Sequence, residues 1–189
     1  LKHILVRHEQ AAAFAADAYS RATGRVGVAL VTSGPGATNT VTGIANAMMD
    51  SSGFVVITGN VSQQQMGTDA FQECDITGVT LPITKHNFLI EDVRDLARNI
   101  KEAFHIAGTG RRGPVLIDIP RNLFGEEIEF VWPEKVELPG YKPTRSGHAR
   151  QIRQAAEVIN GSKKPVILAG HGVITSQAYS QLQALAEKA

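Results

Sequence analysis

A single carboxylate stands between a short apolar run and a helix pattern made of small residues. In LVRHEQAAAFAADAYSRATG, Glu9 follows the apolar run, and seven alanines lie between Ala11 and Ala22. If the run is a strand of a parallel sheet, Glu9 lies at the carboxyl edge, where open α/β folds bind ligands. Its carboxylate could then serve a bound ligand, or it could simply complement the helix dipole. The alanines favour a close helix–helix interface, although helix propensity alone also explains them.

A glycine-rich turn is the second candidate site. In VTSGPGATNTVTGIANA, a buried strand breaks at the SGPG turn that begins with Ser33, and a helix follows at once. Free backbone N–H groups at such a helix start can hold an anion or the edge of a polar ring. The segment lacks the lysine of the GxxxxGK[ST] loop and is not GxGxxG. Ser33 and Asn39 could therefore serve only as capping groups.

Two further polar segments follow predicted strands or helices. The loop ITGNVSQQQMGTDAFQECD carries Phe71 and Gln72 near its end, and loops after strands often carry function. In GTGRRGPVLIDIPRN, Arg111 and Arg112 stand between a helix end and a buried strand. Their guanidinium groups could bind a phosphate or carboxylate, or act as partners of the helix dipole.

Composition and charge exclude several classes of function. Nineteen Lys and Arg against 18 Asp and Glu give a formal charge of +1, which indicates neither nucleic acid nor an anionic membrane as partner. No apolar run approaches the roughly 18 residues of a membrane span. The only cysteine, Cys74, predicts a reducing, cytoplasmic location. The six histidines show neither Ser-His-Asp nor metal-ligand spacing, so we predict no metal ligands in this chain.

Apolar, β-branched runs alternate with helix patterns, which is typical of βαβ units. We predict an α/β fold, a doubly wound and mostly parallel sheet with helices on both faces, followed by the start of a second α/β domain. The predicted strands are His3–Val6, Gly27–Thr32, Phe54–Thr58, Thr84–Leu89 and Val115–Asp118. The predicted helices are Glu9–Ala22, Ala37–Met49 and Val93–Ala107.

A connector with four of the eight prolines separates the two predicted domains. We predict a first domain over residues 1–122, a linker over 123–147 and the beginning of a second domain over 148–189. The chain opens on Leu1 inside a strand-like run, so we expect residues upstream of it to have been removed. The predicted elements of the second domain are a helix at Ala149–Ile159, a strand at Pro165–Ala169, a glycine-rich turn in GHGVITS and a helix at Gln177–Ala189.

Five motifs occur in an order that a known family shares. They are RHEQAAAFAADAYSRATG, VTSGPGATNTVTGIANAMMDS, GTDAFQE, PITKHNFLI and GRRGPVLIDIP. Together they resemble the pyrimidine-binding domain of acetolactate synthase, a thiamine-diphosphate enzyme, and imply the thiamine-diphosphate-binding fold. The resemblance covers residues 1–122, and KKPVILAGHGVI resembles the start of that family's central domain. The GTDAFQE loop is typical of its biosynthetic, FAD-containing members.

The resemblance implies a catalytic role for Glu9, which would hydrogen-bond N1′ of the cofactor's aminopyrimidine and relay a proton through the ring. The enzyme would decarboxylate pyruvate and join the remaining two carbons to a second 2-ketoacid, pyruvate or 2-ketobutyrate, for branched-chain amino-acid synthesis. Gln72 and Phe71 would lie near the substrate end of the cofactor, and Lys85 at the substrate channel.

The resemblance implies further contacts with cofactors and partners. The residues implied at the pyrimidine pocket or its dimer contact are Ser33, Gly34 and Asn39, and those implied at FAD are Arg111, Gly170 and Gly172. The chain lacks the family's GDG motif, so we expect the Mg²⁺ ligands in a missing downstream domain. Because the family builds each site from two subunits, we expect a homodimer or tetramer, with a regulatory subunit as a further partner. The isolated chain would then neither bind thiamine diphosphate tightly nor turn over pyruvate.

Three positions depart from the family's usual pattern, and two other functions stay open. Asn60 and Ser62 replace a common glutamine and proline, which puts inhibitor binding in doubt, and Arg121 replaces a frequent lysine. One alternative is another thiamine-diphosphate decarboxylase or ligase, related to oxalyl-CoA or sulfopyruvate decarboxylases. The other is a non-catalytic nucleotide-binding or assembly module, in which Glu9→Gln would be silent.

Overall fold

Four parallel strands organise the first part of the chain. The computed structural model describes residues 2–189. The strands are β1 (Gly27–Val31), β2 (Phe54–Asn60), β3 (His86–Leu89) and β4 (Val115–Pro120), in the spatial order β1-β2-β4-β3. Every neighbouring pair is parallel. The predicted parallel α/β fold is therefore confirmed.

Helices cover both faces of this sheet. On β2, Phe54 and Val56 pack toward one face, whereas Val55 packs toward the other, as the two-residue period of a strand requires. All three are fully buried, which is typical of a strand covered on both sides. The helices in the part of the chain that forms this sheet are α1 (Glu9–Thr23), α2 (Pro35–Thr38), α3 (Val41–Met49), α4 (Ile76–Thr80) and α5 (Leu96–Gly108). The 3₁₀ turns are Leu81–Ile83, Val93–Asp95 and Arg121–Gly125.

Small residues bring α1 close to the sheet and to α3. A Cβ added to Gly27 of β1 would lie 2.2 Å from the carbonyl oxygen of Ala16, and one added to Gly43 of α3 would lie 2.6 Å from the Cβ of Ala13. Because backbone cannot move aside cheaply, only glycine fits at Gly27. Part of the alanine-rich surface of α1 thus packs within this chain, and the other part stays exposed.

Polar contacts fix α1 against α3. The buried carboxylate of Asp17 accepts hydrogen bonds from Arg21 at 2.9 Å and from Asn46 at 2.9 Å. Burial raises the pKa of Asp17, but the hydrogen bonds and the charge of Arg21 outweigh that effect and lower it. Arg21 also pairs with Asp50 at the end of α3, at 2.8 Å. The orientation of α1, which begins with Glu9, is set by these contacts.

The prediction of a strand at His3–Val6 was wrong. No strand is assigned there, and the side chains of Ile4 and Leu5 are 84% and 89% exposed. A strand needs a neighbouring backbone to accept its hydrogen bonds, and within residues 2–189 this run pairs with none. An apolar run by itself does not form a strand.

Two helix predictions needed new boundaries. The predicted helix Ala37–Met49 is divided into α2 and α3, with Asn39 and Thr40 between them. The predicted helix Val93–Ala107 begins as a 3₁₀ turn before α5.

The chain divides into two compact units, Leu1–Pro143 and Thr144–Ala189. Residues after Asn122 continue to pack in the first unit, where Leu138 and Tyr141 contact the core under α5. The ammonium of Lys101 donates a hydrogen bond to the carbonyl of Glu134 at 2.9 Å. Much of the proline-rich connector is therefore attached to the first unit.

The second unit contains three helices, α6 (Ala149–Asn160), α7 (His171–Thr175) and α8 (Tyr179–Lys188). The prediction of a strand at Pro165–Ala169 was wrong, because this unit offers no second strand to pair with. The predicted turn in GHGVITS forms α7 instead. Among the described helices of both units, none combines the length and apolar composition that a membrane crossing requires.

Candidate functional site

Glu9 is the first residue of α1 and contacts the segment that follows the glycine-rich turn. Its Oε2 accepts a hydrogen bond from the side-chain amide of Asn39 at 3.0 Å. This bond, followed by one from the N–H of Glu9 itself, lowers the pKa of the Glu9 carboxyl. Glu9 is therefore an ionised hydrogen-bond acceptor at neutral pH, held by a residue thirty positions away in the chain.

Gly36 keeps the space beside this carboxylate free of a side chain. A Cβ at Gly36 would lie 3.6 Å from Oε1 of Glu9 and 2.5 Å from Cγ2 of Thr32. Any other residue would therefore crowd Thr32 and fill the space that faces Oε1. The arrangement suits the flat, polar edge of a ring approaching the carboxylate.

Gly34 joins the turn to the GTDAFQE loop. Its φ of +55° and ψ of −118° belong to a region that is essentially restricted to glycine. A Cβ at Gly34 would lie 2.7 Å from the carbonyl oxygen of Gln72 and 2.9 Å from its Cα. The structure thus brings Gln72 against the turn that contains Ser33, on the same sheet edge as Glu9.

The GTDAFQE loop is held together by its own glutamate, which the sequence analysis did not identify. The carboxylate of Glu73 accepts hydrogen bonds from the N–H groups of Gly67 and of Ala70, the latter at 2.9 Å. These two bonds lower the pKa of the Glu73 carboxyl. Phe71, at the loop surface, is 89% exposed and is free to contact another molecule. The position of Glu73 six residues after a glycine is the only sequence signal for this role.

A second carboxylate that sequence analysis missed is buried under this edge of the sheet. Asp118 of β4 is 1% exposed, and its two oxygens accept hydrogen bonds from Thr58 at 2.6 Å and from Asn60 at 2.5 Å. Burial raises the pKa of Asp118 to about 6, although both hydrogen bonds act to lower it. A lone acidic residue in the apolar strand VLIDIP was the available signal.

The raised pKa of Asp118 predicts a pH-dependent stability. Because its pKa rises from 3.8 to about 6 on folding, the folded state holds its proton more tightly than the unfolded state. Asp118 therefore makes its full contribution to the free energy of unfolding below pH 3.8. This contribution is lost as pH rises to about 6, a change of about 3 kcal/mol. We expect Asp118→Asn to remove this slope from the free energy of unfolding measured against pH. An unchanged difference between the two proteins from pH 4 to pH 7 would contradict the assignment.

Lys85 lies at the opposite edge of the sheet from Glu9 of the same chain. It precedes β3, at the amino edge of the sheet, and its N–H donates to the carbonyl of Pro114 at 2.8 Å. Its ammonium donates hydrogen bonds to the carbonyl of Thr109 at 2.8 Å and to the hydroxyl of Tyr141 at 2.9 Å. The carbonyl of Ile106 is a third acceptor. Lys85 therefore ties the end of α5 to the connector.

We expect Lys85→Met to lower the free energy of unfolding. The variant leaves the Thr109 and Ile106 carbonyls without their charged donor, which costs about 1–3 kcal/mol in the free energy of unfolding. Denaturant unfolding of the full-length protein checks this. Unchanged stability would contradict the structural role of these hydrogen bonds.

The residues predicted at FAD are distributed over both units. Arg111 donates hydrogen bonds to the hydroxyl of Ser51 at 2.8 Å and to the carbonyl of Met48 at 3.4 Å, near the end of α3. Gly170 precedes α7 and Gly172 lies within it, both in the second unit and both exposed. Over residues 2–189, no three His, Cys, Asp or Glu side chains converge as ligands of a metal ion.

Comparison with known families identifies the class of protein that this fold and edge site define. Residues 1–79 match the model described as "Thiamine pyrophosphate enzyme, N-terminal TPP binding domain". Residues 152–189 match the model of the central domain of the same enzymes. The chain therefore belongs to the thiamine pyrophosphate enzymes.

Within that class, the chain is similar along nearly its whole length to acetolactate synthases. It is 54% identical to the acetolactate synthase large subunit of Corynebacterium glutamicum and 55% identical to the acetolactate synthase of Mycobacterium bovis, each over 99% of this chain and 30% of the relative. It is 48% identical to the isozyme 3 large subunit of Escherichia coli, over 99% of this chain and 33% of the relative. The resemblance predicted from the five motifs is confirmed. The chain spans about a third of the length of these curated relatives.

Proposed function

We propose that this chain is the pyrimidine-binding part of an acetolactate synthase. The enzyme decarboxylates pyruvate and joins the remaining two carbons to a second 2-ketoacid, either pyruvate or 2-ketobutyrate. The observation that carries the proposal is the ionised Glu9, held by Asn39 at 3.0 Å beside a turn whose glycine leaves room for a ring. The identity of 48–55% to acetolactate synthases favours this reaction over those of other thiamine-diphosphate enzymes.

The residues at the sheet edge fit the aminopyrimidine of thiamine diphosphate. Thiamine diphosphate supplies the electron sink for loss of carbon dioxide from a 2-ketoacid. The Glu9 carboxylate would accept a hydrogen bond from the ring nitrogen N1′, and its negative charge would favour a proton on that nitrogen. Asn39 orients the carboxylate, while Gly36 leaves space for the ring. Ser33 and the other residues of the turn complete the wall of the pocket.

The loop that carries Phe71 and Gln72 forms the substrate end of this site. Its support is the contact between Gln72 and Gly34, which places the loop directly beside the turn. The exposed ring of Phe71 can cover a substrate or contact a neighbouring subunit. The ammonium of Lys85 is hydrogen-bonded at the other edge of the sheet, so within this chain it does not line the space beside Glu9.

A homodimer or tetramer completes the site in this proposal. The exposed face of α1 carries Phe14 and Tyr19, which are 38% and 44% exposed. The exposed alanines of this face are Ala11, Ala15, Ala18 and Ala22. This apolar face with short side chains suits close contact with a second subunit. The name "large subunit" of two relatives supports a regulatory small subunit as a further partner.

The remaining assignments extend the same proposal. The proposed domains are 1–122 and 148–189, joined by a segment of which a large part packs against the first unit, and the enzyme acts in the cytoplasm. Arg111, Gly170 and Gly172 contact FAD, since an exposed guanidinium and bare glycine backbone suit a dinucleotide. Mg²⁺ and the diphosphate are bound by residues outside this chain.

Product analysis of the full-length protein tests the function. The protein is incubated with thiamine diphosphate, Mg²⁺ and FAD, first with pyruvate alone and then with pyruvate plus 2-ketobutyrate. We expect 2-acetolactate in the first case and 2-aceto-2-hydroxybutyrate in addition in the second. Release of acetaldehyde without either product would identify a simple decarboxylase and overturn the proposal.

A further inference from the structure

Asp118 lies at the centre of a buried hydrogen-bond network that the proposed reaction does not use. On β4 it is paired with Thr58 of β2 and with Leu89 of β3, so it occupies an interior position of the sheet. Thr58 and Asn60 are 0% and 7% exposed, and both donate to its carboxylate. A buried carboxylate costs stability unless it is hydrogen-bonded. The hydrogen bonds to Asp118 therefore hold the side chains of Thr58 and Asn60 in fixed orientations.

Asn60 connects this carboxylate to the loop at the candidate site. While its amide nitrogen donates to Asp118, its Oδ1 accepts a hydrogen bond from the backbone N–H of Val61 at 2.8 Å. Val61 is the first residue after β2 and begins the loop of residues 61–75, which we call the edge loop. The chain thus leaves the sheet in a direction set by Asn60, whose orientation is set by Asp118.

The other end of the edge loop also comes close to Asp118. The charge of Asp75 acts to raise the pKa of Asp118, and the charge of Asp118 acts to raise the pKa of the Cys74 thiol. Asp75 in turn caps α4 by accepting a hydrogen bond from the N–H of Gly78 at 2.8 Å. The far end of the edge loop is therefore near enough to Asp118 for their charges to interact, while the middle of the loop carries Gln72 against Gly34.

We propose that Asp118 is a positioning residue that acts through Asn60 to fix the root of the edge loop, and with it the place of Gln72 beside Gly34. That the position of Gln72 matters for catalysis rests on the proposed function. That Asp118 positions the edge loop through Asn60 does not. The link also tolerates protonation of Asp118. A protonated carboxyl can donate to the Thr58 hydroxyl, which is able to accept, and still accept from Asn60 with its other oxygen.

Two variants that break the link are compared with two that preserve it, all in the full-length protein. Asn60→Ala and Asp118→Ala remove the connection to Val61. Thr58→Val removes a hydrogen bond to the same carboxylate but leaves the connection intact. Asp118→Asn offers one oxygen to Asn60 and one N–H to Thr58, and so preserves the network in neutral form.

Hydrogen–deuterium exchange of peptides covering the edge loop is the first measurement. We expect Asn60→Ala and Asp118→Ala to speed exchange of residues 61–75 about tenfold, the effect of one lost hydrogen bond, with β1 unchanged. Thr58→Val and Asp118→Asn stay within about threefold of the parent protein. If Asp118→Ala does not fold, Asn60→Ala decides the matter. Unchanged exchange in Asn60→Ala, or equal acceleration in Thr58→Val, overturns the proposal.

Steady-state kinetics with pyruvate is the second measurement. We expect the two disrupting variants to raise KM about tenfold and the two preserving variants to leave it unchanged. Tenfold faster hydrogen exchange in the edge loop with an unchanged KM overturns the inference that the position of this loop affects catalysis. Absence of acetolactate from the parent protein would instead remove the proposed function, and the exchange result would still decide whether Asp118 positions the loop.

Discussion

Replacing Glu9 with Gln in the full-length protein is expected to lower the rate of acetolactate formation by about 10²–10⁴-fold, the usual range for loss of a group in proton transfer. Gln keeps the shape of Glu and can still accept the hydrogen bond from Asn39. It lacks the negative charge that favours the protonated state of the ring nitrogen. The kcat for pyruvate, measured at saturating thiamine diphosphate, checks this expectation.

The matched control is Glu126→Gln, which makes the same chemical change at an exposed position in the connector. We expect its kcat to equal that of the parent protein. The melting temperature of Glu9→Gln should also change little, because the Glu9 carboxylate is only partly buried. A Glu9→Gln enzyme with full activity would leave Glu9 with nothing more than a helix-dipole role, as in a non-catalytic module.

The sheet could be predicted from sequence because its strands are apolar on both faces. Phe54, Val55 and Val56 follow one another in the chain, yet all are fully buried, so the run itself identifies a covered strand. The same argument failed at His3–Val6 and Pro165–Ala169, where the composition is similar but the described chain supplies no neighbouring strand. Strand pairing depends on distant backbone, which a local pattern does not contain.

The candidate site was only partly predictable for the same reason. Glu9 and the SGPG turn were found because both stand at junctions between elements, where the carboxyl edge of a sheet exposes them. Asp118 acts through cross-strand partners sixty and 58 positions away, so no local motif contains the network. Lys85 lies at the beginning of its strand, and the beginnings of parallel strands meet at the edge opposite Glu9, which the motif PITKHNFLI alone does not indicate.

Replacing Gly34 with Ala is expected to destabilise the full-length protein by about 2–6 kcal/mol and to reduce its activity. About 1–3 kcal/mol comes from placing a side chain at φ +55° and ψ −118°. A similar amount comes from the Cβ, which would lie 2.7 Å from the carbonyl oxygen of Gln72. The atoms of Gln72 at that contact are backbone atoms and cannot rotate away as a side chain can. The turn and the loop must therefore separate.

Gly67→Ala is the matched control, because Gly67 also has a positive φ but lacks the contact. Gly67 has a φ of +80°, and a Cβ added there would meet nothing within 4 Å. We therefore expect a loss of only about 1–2 kcal/mol in the free energy of unfolding. Denaturant unfolding and the KM for pyruvate of both variants check the comparison. Equal losses of stability in both variants would show that backbone strain alone matters and that the contact between Gly34 and Gln72 does not position the loop. A larger loss of stability and a raised KM in Gly34→Ala alone would locate the effect at the junction of turn and loop.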